Sequence, residues 1–209
     1  MLGEDGRLRR IVSNFRNLSF NVGPTLHSWL SENHPKVEKR IREADEASYA
    51  AAGSGNAIAQ AYHHVILPLA PDRDIRTQVL WGVQDFRFRF GRPPEGMWLP
   101  EMAVDLRSLE ALAAAGIRFA LLAPHQCSAV RPPGGQWSET TGSARLDRTR
   151  PYRVELPSGR SIAVFFHHDG LAHDMAFGPL LDNGDRLAEA LVKNLPDDGE
   201  NRMLVVATD

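Results

Sequence analysis

The chain of 209 residues contains one cysteine, Cys127, no run of basic residues and no long apolar segment. A single cysteine excludes an internal disulfide framework and a metal site built from several thiolates. The net charge of −2 provides no basic face for nucleic acid or for an anionic membrane. No apolar run approaches the roughly 20 residues of a membrane span, and the first residues, MLGEDGRLRR, lack the apolar centre of a signal peptide. These absences predict a cytoplasmic protein without a nucleic acid or membrane partner.

The patterns typical of helices and strands alternate along the sequence. Apolar residues recur at three- and four-residue spacing behind Asp72 and Asp74, which predicts a helix that one of these residues caps and that Gly91 ends. The stretch EGMWL then predicts a strand, Asp105 predicts the N-cap of the next helix, and IRFALLA predicts a second strand. This order is typical of α/β domains.

The flanking segments add to the same pattern. LSFN, residues 18–21, is a short strand candidate, and YRVELPSGRSIAVFF predicts a hairpin around residues 157–159. DRLAEALVKNL predicts an amphipathic helix that leads into a last strand, MLVVA. We therefore predict one α/β domain over residues 1–209, with a largely parallel sheet that is either open or closed into a barrel.

Two carboxylates follow predicted buried strands. Glu101 comes after the run GMWLP, and Asp209 ends the run RMLVVATD. Ligands of such folds bind beyond the carboxyl ends of the strands. A pair of carboxylates there suits the cleavage of a glycosidic bond, in which one acts on the sugar and the other delivers a proton. From spacing alone, however, a Glu after a strand is more often a helix cap or a solvated loop charge, and a paired Asp and Glu can equally bind a metal.

Three stretches resemble conserved regions of glycoside hydrolase family 57. GMWLPEMAVD resembles the region with a Trp-Leu-x-Glu run, and LVVATD resembles the start of the region in which an apolar strand delivers an Asp. GSGNAIAQAYHHVILPLA is similar to a further region in a less-studied branch of the family. The order and spacing of all three are more specific than any one of them, and the likeness covers most of the chain.

The resemblance implies a fold, an activity and a set of site residues. The fold is expected to be part of an incomplete (β/α)7 barrel, similar to that of polysaccharide deacetylases. Glu101 is expected to be the catalytic nucleophile and Asp209 the general acid and base of a retaining enzyme that acts on an α-glucan. Trp98, His64 and Asn56 are expected to bind the sugar. Nothing in the resemblance calls for a cofactor or a metal.

The chain also departs from the family pattern. The His-x-His of the family's first region is absent, no Gly-Glu follows Asp209, and Ser54 and His63 replace the usual His and Asn. We therefore expect a catalytic-barrel fragment that lacks the first strand and the C-terminal part and that is inactive alone.

Two alternatives belong to other classes of protein. A metal-dependent polysaccharide deacetylase would share the barrel, but the eight histidines never form the His-x-x-x-His pair that it requires. A non-catalytic carbohydrate-binding domain is the second alternative. The sequence leaves open the glucan, its linkage, the choice between hydrolysis and glycosyl transfer, and the oligomeric state.

Overall fold

The computed structural model describes residue 7, residues 12–140 and residues 146–208. Contacts divide the chain into two compact units, Met1–Ile117 and Arg118–Asp209, and each is described by itself. The helices in the described residues do not combine the length and the apolar character needed to cross a membrane.

The described part of the first unit contains four α-helices. They are α1 (Pro24–Asn33), α2 (Pro35–Ala52), α3 (Asp72–Phe90) and α4 (Leu106–Ala114). Gly91 ends α3 with a left-handed φ of 66°, a conformation that glycine adopts without steric cost. The predicted N-cap of α4 is confirmed, because the Asp105 carboxylate accepts a hydrogen bond of 2.8 Å from the Ser108 amide.

The predicted N-cap of α3 is wrong. Pro71 occupies the N-cap position, and Asp72 and Asp74 lie in the first helical turn without capping it through their side chains. Acidic residues are favourable in a first turn because they face the positive end of the helix dipole. Because aspartate is favoured both at the N-cap and in the first turn, the sequence pattern does not distinguish the two positions.

Two short parallel strands complete the first unit. Strand β1 (Ala59–Gln60) pairs with β2 (Gly96–Trp98), with Gln60 opposite Trp98. The strand predicted for LSFN is wrong, because only a single bridge joins Phe20 to Ala57. Helix α3 lies so close to β1 that a Cβ added to Gly82 would stand 2.1 Å from the Gln60 carbonyl oxygen. Only glycine fits at this crossing.

A buried ion pair fixes the segment that leads into β1. Arg92 donates to both carboxylate oxygens of Asp45 at 2.8 and 2.9 Å, and the side chain of Asp45 is only 1% exposed. The same carboxylate accepts the Ala57 amide at 2.7 Å, while Arg92 also donates to the Ala57 carbonyl oxygen at 3.0 Å. Helix α2 is thereby joined to the chain just before β1.

The second unit contains a mixed sheet, a small hairpin and two helices. Its elements are β3 (Phe119–Leu122), β4 (Ala129–Val130), β5 (Ser138–Glu139), β6 (Tyr152–Glu155), β7 (Ser161–Phe166), α5 (Asp169–Phe177) and α6 (Gly184–Lys193). Strand β7 lies between β3, to which it is parallel, and β6, to which it is antiparallel. The antiparallel pair β6 and β7 confirms the predicted hairpin. Strands β4 and β5 form a separate antiparallel pair.

The strand predicted at MLVVA is wrong, since residues 203–208 form no regular element. Backbone hydrogen bonds nevertheless hold this segment at two points. The Met203 amide donates to the Thr149 carbonyl oxygen at 3.1 Å, and the His168 amide donates to the Val205 carbonyl oxygen at 2.7 Å. Two backbone hydrogen bonds thus tether this apolar run without forming a continuous strand ladder.

Candidate active site

Glu101 lies just beyond a buried strand. Met97 and Leu99 are fully buried, and a 3-10 turn, Pro100–Met102, follows them. The Glu101 side chain, in contrast, is 67% exposed. The buried strand therefore fixes the backbone, while the carboxylate that follows it is exposed to solvent.

The backbone at this turn is unusual. Glu101 has a φ of 54° and Met102 a φ of 51°, both in the left-handed region although neither residue is glycine. For a residue with a Cβ, the left-handed conformation costs roughly 1–2 kcal/mol in conformational free energy. Two hydrogen bonds hold the turn in place, from the Met102 amide to the Leu99 carbonyl oxygen at 2.8 Å and from the Ala103 amide to the Pro100 carbonyl oxygen at 3.0 Å. Strain of this kind concentrates at functional sites.

His64 is the partner of the Glu101 carboxylate. Its Nε2 lies 2.7 Å from Oε1 of Glu101, and the His64 side chain is 62% exposed. The short distance is that of a hydrogen bond, and its ionic character depends on whether the imidazole is protonated. Oε1 of Glu101 is thus engaged by an imidazole nitrogen from another part of the first unit.

Helix α3 positions the loop that carries His64. The Gln78 side-chain oxygen accepts the His63 amide at 2.8 Å, and the Gln78 carbonyl oxygen accepts the Tyr62 amide at 3.1 Å. The Gln78 amide nitrogen also lies 3.3 Å from Nδ1 of His63. Gln78 therefore orients the histidine pair, and it keeps the His63 ring engaged with the helix while His64 contacts the carboxylate.

Arg107 connects the segments that follow His64 and Glu101. It donates to the Pro68 carbonyl oxygen, to the Asp72 carboxylate and to the Asp105 carboxylate, each at 2.9 Å. No sequence pattern pointed to Arg107 or Gln78. An arginine and a glutamine on helices are common in any sequence, and the partners Pro68, Asp72 and His63 lie too far along the chain for a local pattern to reveal them.

Hydrogen bonds hold Asp105 in its charged form. Burial raises the pKa of the Asp105 carboxyl, but hydrogen bonds from the Ser108 side chain and amide and from Arg107 outweigh burial, so the pKa is lowered. An ionised Asp105 keeps both the cap of α4 and the contact with Arg107. The start of α4 is thereby fixed close in sequence to Glu101.

The other predicted binding residues have different surroundings. Trp98 is half-buried on β2. The Asn56 side-chain amide donates to the Phe15 carbonyl oxygen at 3.1 Å, and its backbone oxygen accepts the Phe20 amide at 3.0 Å. Asn56 thus supports the preceding segment. Asp209, the predicted acid and base, lies outside the described residues.

The described residues contain no group of three or more His, Cys, Asp or Glu side chains placed to hold a metal ion. The site built around Glu101 consists instead of one carboxylate, one imidazole and a rigid turn. That set can supply a nucleophile or a base together with a hydrogen-bonding partner that orients it.

A family model described as glycosyl hydrolase family 57 matches residues 7–209. The chain therefore belongs to glycosyl hydrolase family 57. It is 29% identical over 94 residues to alpha-amylase 1 of Dictyoglomus thermophilum, a match that covers 45% of this chain and 13% of the amylase.

Solved structures show the fold. A 4-alpha-glucanotransferase from Thermococcus litoralis is 20% identical and superposes with a TM-score of 0.69. The match covers 94% of this chain and 28% of the glucanotransferase chain. An exo-type maltose-forming amylase from Pyrococcus sp. ST04 is 19% identical, with a TM-score of 0.68. The match covers 90% of this chain and 29% of the amylase chain. A branching enzyme from Thermococcus kodakaraensis is 17% identical, with a TM-score of 0.60. The match covers 88% of this chain and 44% of the branching-enzyme chain.

These likenesses confirm the predicted fold class, an α/β fold of the (β/α)7 barrel type found in family 57 enzymes. The chain spans less than half the length of each of these relatives.

Proposed function

We propose that this chain carries the catalytic centre of a retaining glycoside hydrolase or transglycosylase that acts on an α-glucan. Family membership supports the reaction class, and the names of the relatives, two amylases, a glucanotransferase and a branching enzyme, support the substrate class. The observation that carries the proposal is the exposed Glu101 carboxylate on a rigid turn, held by His64 at 2.7 Å.

Glu101 serves as the nucleophile. Its carboxylate attacks the anomeric carbon, and the glycosidic C–O bond breaks as Asp209 transfers its proton to the departing oxygen. In the second step a water molecule or a sugar hydroxyl gives its proton to Asp209 and attacks the anomeric carbon, which releases Glu101. The two inversions give net retention at the anomeric carbon.

His64 positions the nucleophile. The hydrogen bond from His64 favours one orientation of the Glu101 carboxylate. Less side-chain conformational entropy is therefore lost when a sugar binds. Trp98 provides an aromatic surface for the apolar face of a sugar ring. The side-chain oxygen of Asn56 accepts a hydrogen bond from a sugar hydroxyl, while its amide stays bonded to the Phe15 carbonyl oxygen.

The test is a covalent trap in the full-length protein. A fluorinated glucosyl substrate that slows the second step should add one glycosyl mass to the peptide that contains Glu101. Glu101→Gln should abolish labelling and lower turnover of maltooligosaccharides by several orders of magnitude. Glu139→Gln, at an exposed position on β5, is the matched control. Labelling of another carboxylate, or near-normal turnover by Glu101→Gln, would rule out the assignment.

A further inference from the structure

His167 occupies a fixed position at the end of β7. Its amide donates to the Leu122 carbonyl oxygen at 3.1 Å, which continues the parallel pairing of β7 with β3. The next residue, His168, donates its amide to the Val205 carbonyl oxygen at 2.7 Å. The backbone is thus held on both sides at the carboxyl end of parallel strands, where ligands bind in α/β folds.

The His167 side chain has an unsatisfied polar atom. The residue is only 9% exposed, and its Nδ1 is buried without a hydrogen-bond partner in the described part of the chain. Buried polar atoms of native proteins nearly always have a partner, so an exception requires an explanation such as a ligand or a water molecule.

Neighbouring polar groups are already engaged with one another. Arg148 donates to the Asp169 carboxylate at 2.6 Å. The His168 ring accepts the Leu171 amide at Nδ1 and lies 3.0 Å from the Asn194 side-chain oxygen at Nε2. His168, Arg148 and Asp169 are thus engaged with other groups, whereas Nδ1 of His167 has no hydrogen-bond partner in the described residues.

His167 is a neutral imidazole at neutral pH. Burial lowers the pKa of the His167 imidazole most, and the charge of Arg148 lowers it further, whereas the Asp169 carboxylate raises it without reversing the shift. A neutral ring has one donor nitrogen and one acceptor nitrogen. A hydroxyl group, which both donates and accepts, complements such a ring better than an anion does.

We propose that His167 is a sugar-contact residue whose ring hydrogen-bonds a glucosyl hydroxyl. The choice of glucan as the ligand rests on the function proposed above, whereas the position, burial and unpaired nitrogen of His167 do not depend on it. His167 binds substrate in this proposal and takes no part in proton transfer or bond cleavage.

The test uses the full-length protein with Glu101→Gln, so that binding is measured without turnover. Calorimetry with a maltooligosaccharide should give a Kd that His167→Phe weakens about 3- to 10-fold, the effect of losing one neutral hydrogen bond. Phe keeps the aromatic shape and removes the unpaired nitrogen, so the melting temperature should stay the same or rise. His173→Gln, at an exposed position on α5, is the matched control and should leave Kd unchanged.

A second measurement covers a His167 variant that fails to fold. In the Glu101→Gln protein with an intact His167, saccharide titration should shift the 15N imidazole resonances of His167. An unshifted resonance, or an unchanged Kd in folded His167→Phe, overturns the proposal and assigns the nitrogen to a buried water. Glucan binding with normal turnover by Glu101→Gln would overturn the nucleophile while sparing His167. Absence of glucan binding by the parent protein overturns both.

Discussion

Nε2 of His64 lies 2.7 Å from Oε1 of Glu101, although 37 positions separate the two residues in the sequence. Each residue reaches the contact from its own loop, one ordered by Gln78 and the other by a strained turn after β2. The contact is thus a product of the fold, and it places an imidazole on the carboxylate that we propose as the nucleophile.

His64→Gln should lower kcat/KM of the full-length enzyme by roughly 10- to 100-fold, because a hydrogen bond to a charged group contributes about 1.5–3 kcal/mol. Steady-state kinetics on a maltooligosaccharide measure the change. His63→Gln is the control, since that ring contacts Gln78 and Tyr62 rather than Glu101. Equal effects of the two substitutions would contradict a positioning role for His64.

Asp209→Asn should separate substrates by their leaving groups. A dinitrophenyl glycoside needs no proton for departure, so its first step should be almost unaffected, whereas maltooligosaccharide turnover should fall by about 10²- to 10⁴-fold. Rapid-quench measurement of the two classes provides the comparison. An equal fall in the first-step rate for both substrate classes would contradict the assignment of Asp209 as the general acid.

Arg92→Met should lower the free energy of unfolding by about 3–5 kcal/mol, because it leaves the buried Asp45 carboxylate without its cation. Denaturant unfolding measures the difference. Arg73→Met removes an arginine whose side chain is 85% exposed, and its effect should stay within about 0.5 kcal/mol. Adding Asp45→Leu to Arg92→Met should recover part of the loss, and a purely additive double mutant would contradict the coupling.

Gly82→Ala should destabilise the protein by about 1–3 kcal/mol or more, because its Cβ would overlap the Gln60 carbonyl oxygen and push α3 away from β1. Thermal or denaturant unfolding measures the effect. The difference between Arg87→Gly and Arg87→Ala, at an exposed position of the same helix, controls for the change in helix propensity. A stabilised Gly82→Ala protein would show that α3 can move at no cost.

Acid should weaken the ionic cluster around Arg202. A hydrogen bond from the Arg202 side chain lowers the pKa of the Asp198 carboxyl from 3.8 to about 2. Burial raises the pKa of Asp147, but hydrogen bonds from Thr149 and Arg202 outweigh it and lower that pKa as well. Carboxyls with a lowered pKa stabilise the folded state above pH 3.8, and this contribution disappears as the pH falls towards 2.

The melting temperature of the parent protein should therefore fall more steeply between pH 3.8 and about 2 than that of Arg202→Met. Arg153→Met removes an exposed partner of Glu155 and should keep the parent's slope. Identical slopes for Arg202→Met and the parent would show that the cluster does not contribute in this range.

Local patterns identified most of the elements. The cap at Asp105, the glycine stop at Gly91, the hairpin around residues 157–159 and the exposed residue after a buried strand all follow from interactions within a few positions of the chain. Patterns failed where local chemistry is ambiguous. An aspartate in a first helical turn resembles a cap, and the apolar runs at LSFN and MLVVA form isolated backbone contacts instead of strands.

The sequence by itself determined the α/β class, the family and the candidate carboxylate at position 101, because these depend on periodicity and on contiguous motifs. Only the tertiary structure decided that His64 contacts Glu101, that Arg107 joins the two flanking segments, and that the His167 nitrogen is buried without a partner in the described residues. Those facts depend on distances between residues far apart in the chain, and such distances arise when packing brings distant segments together.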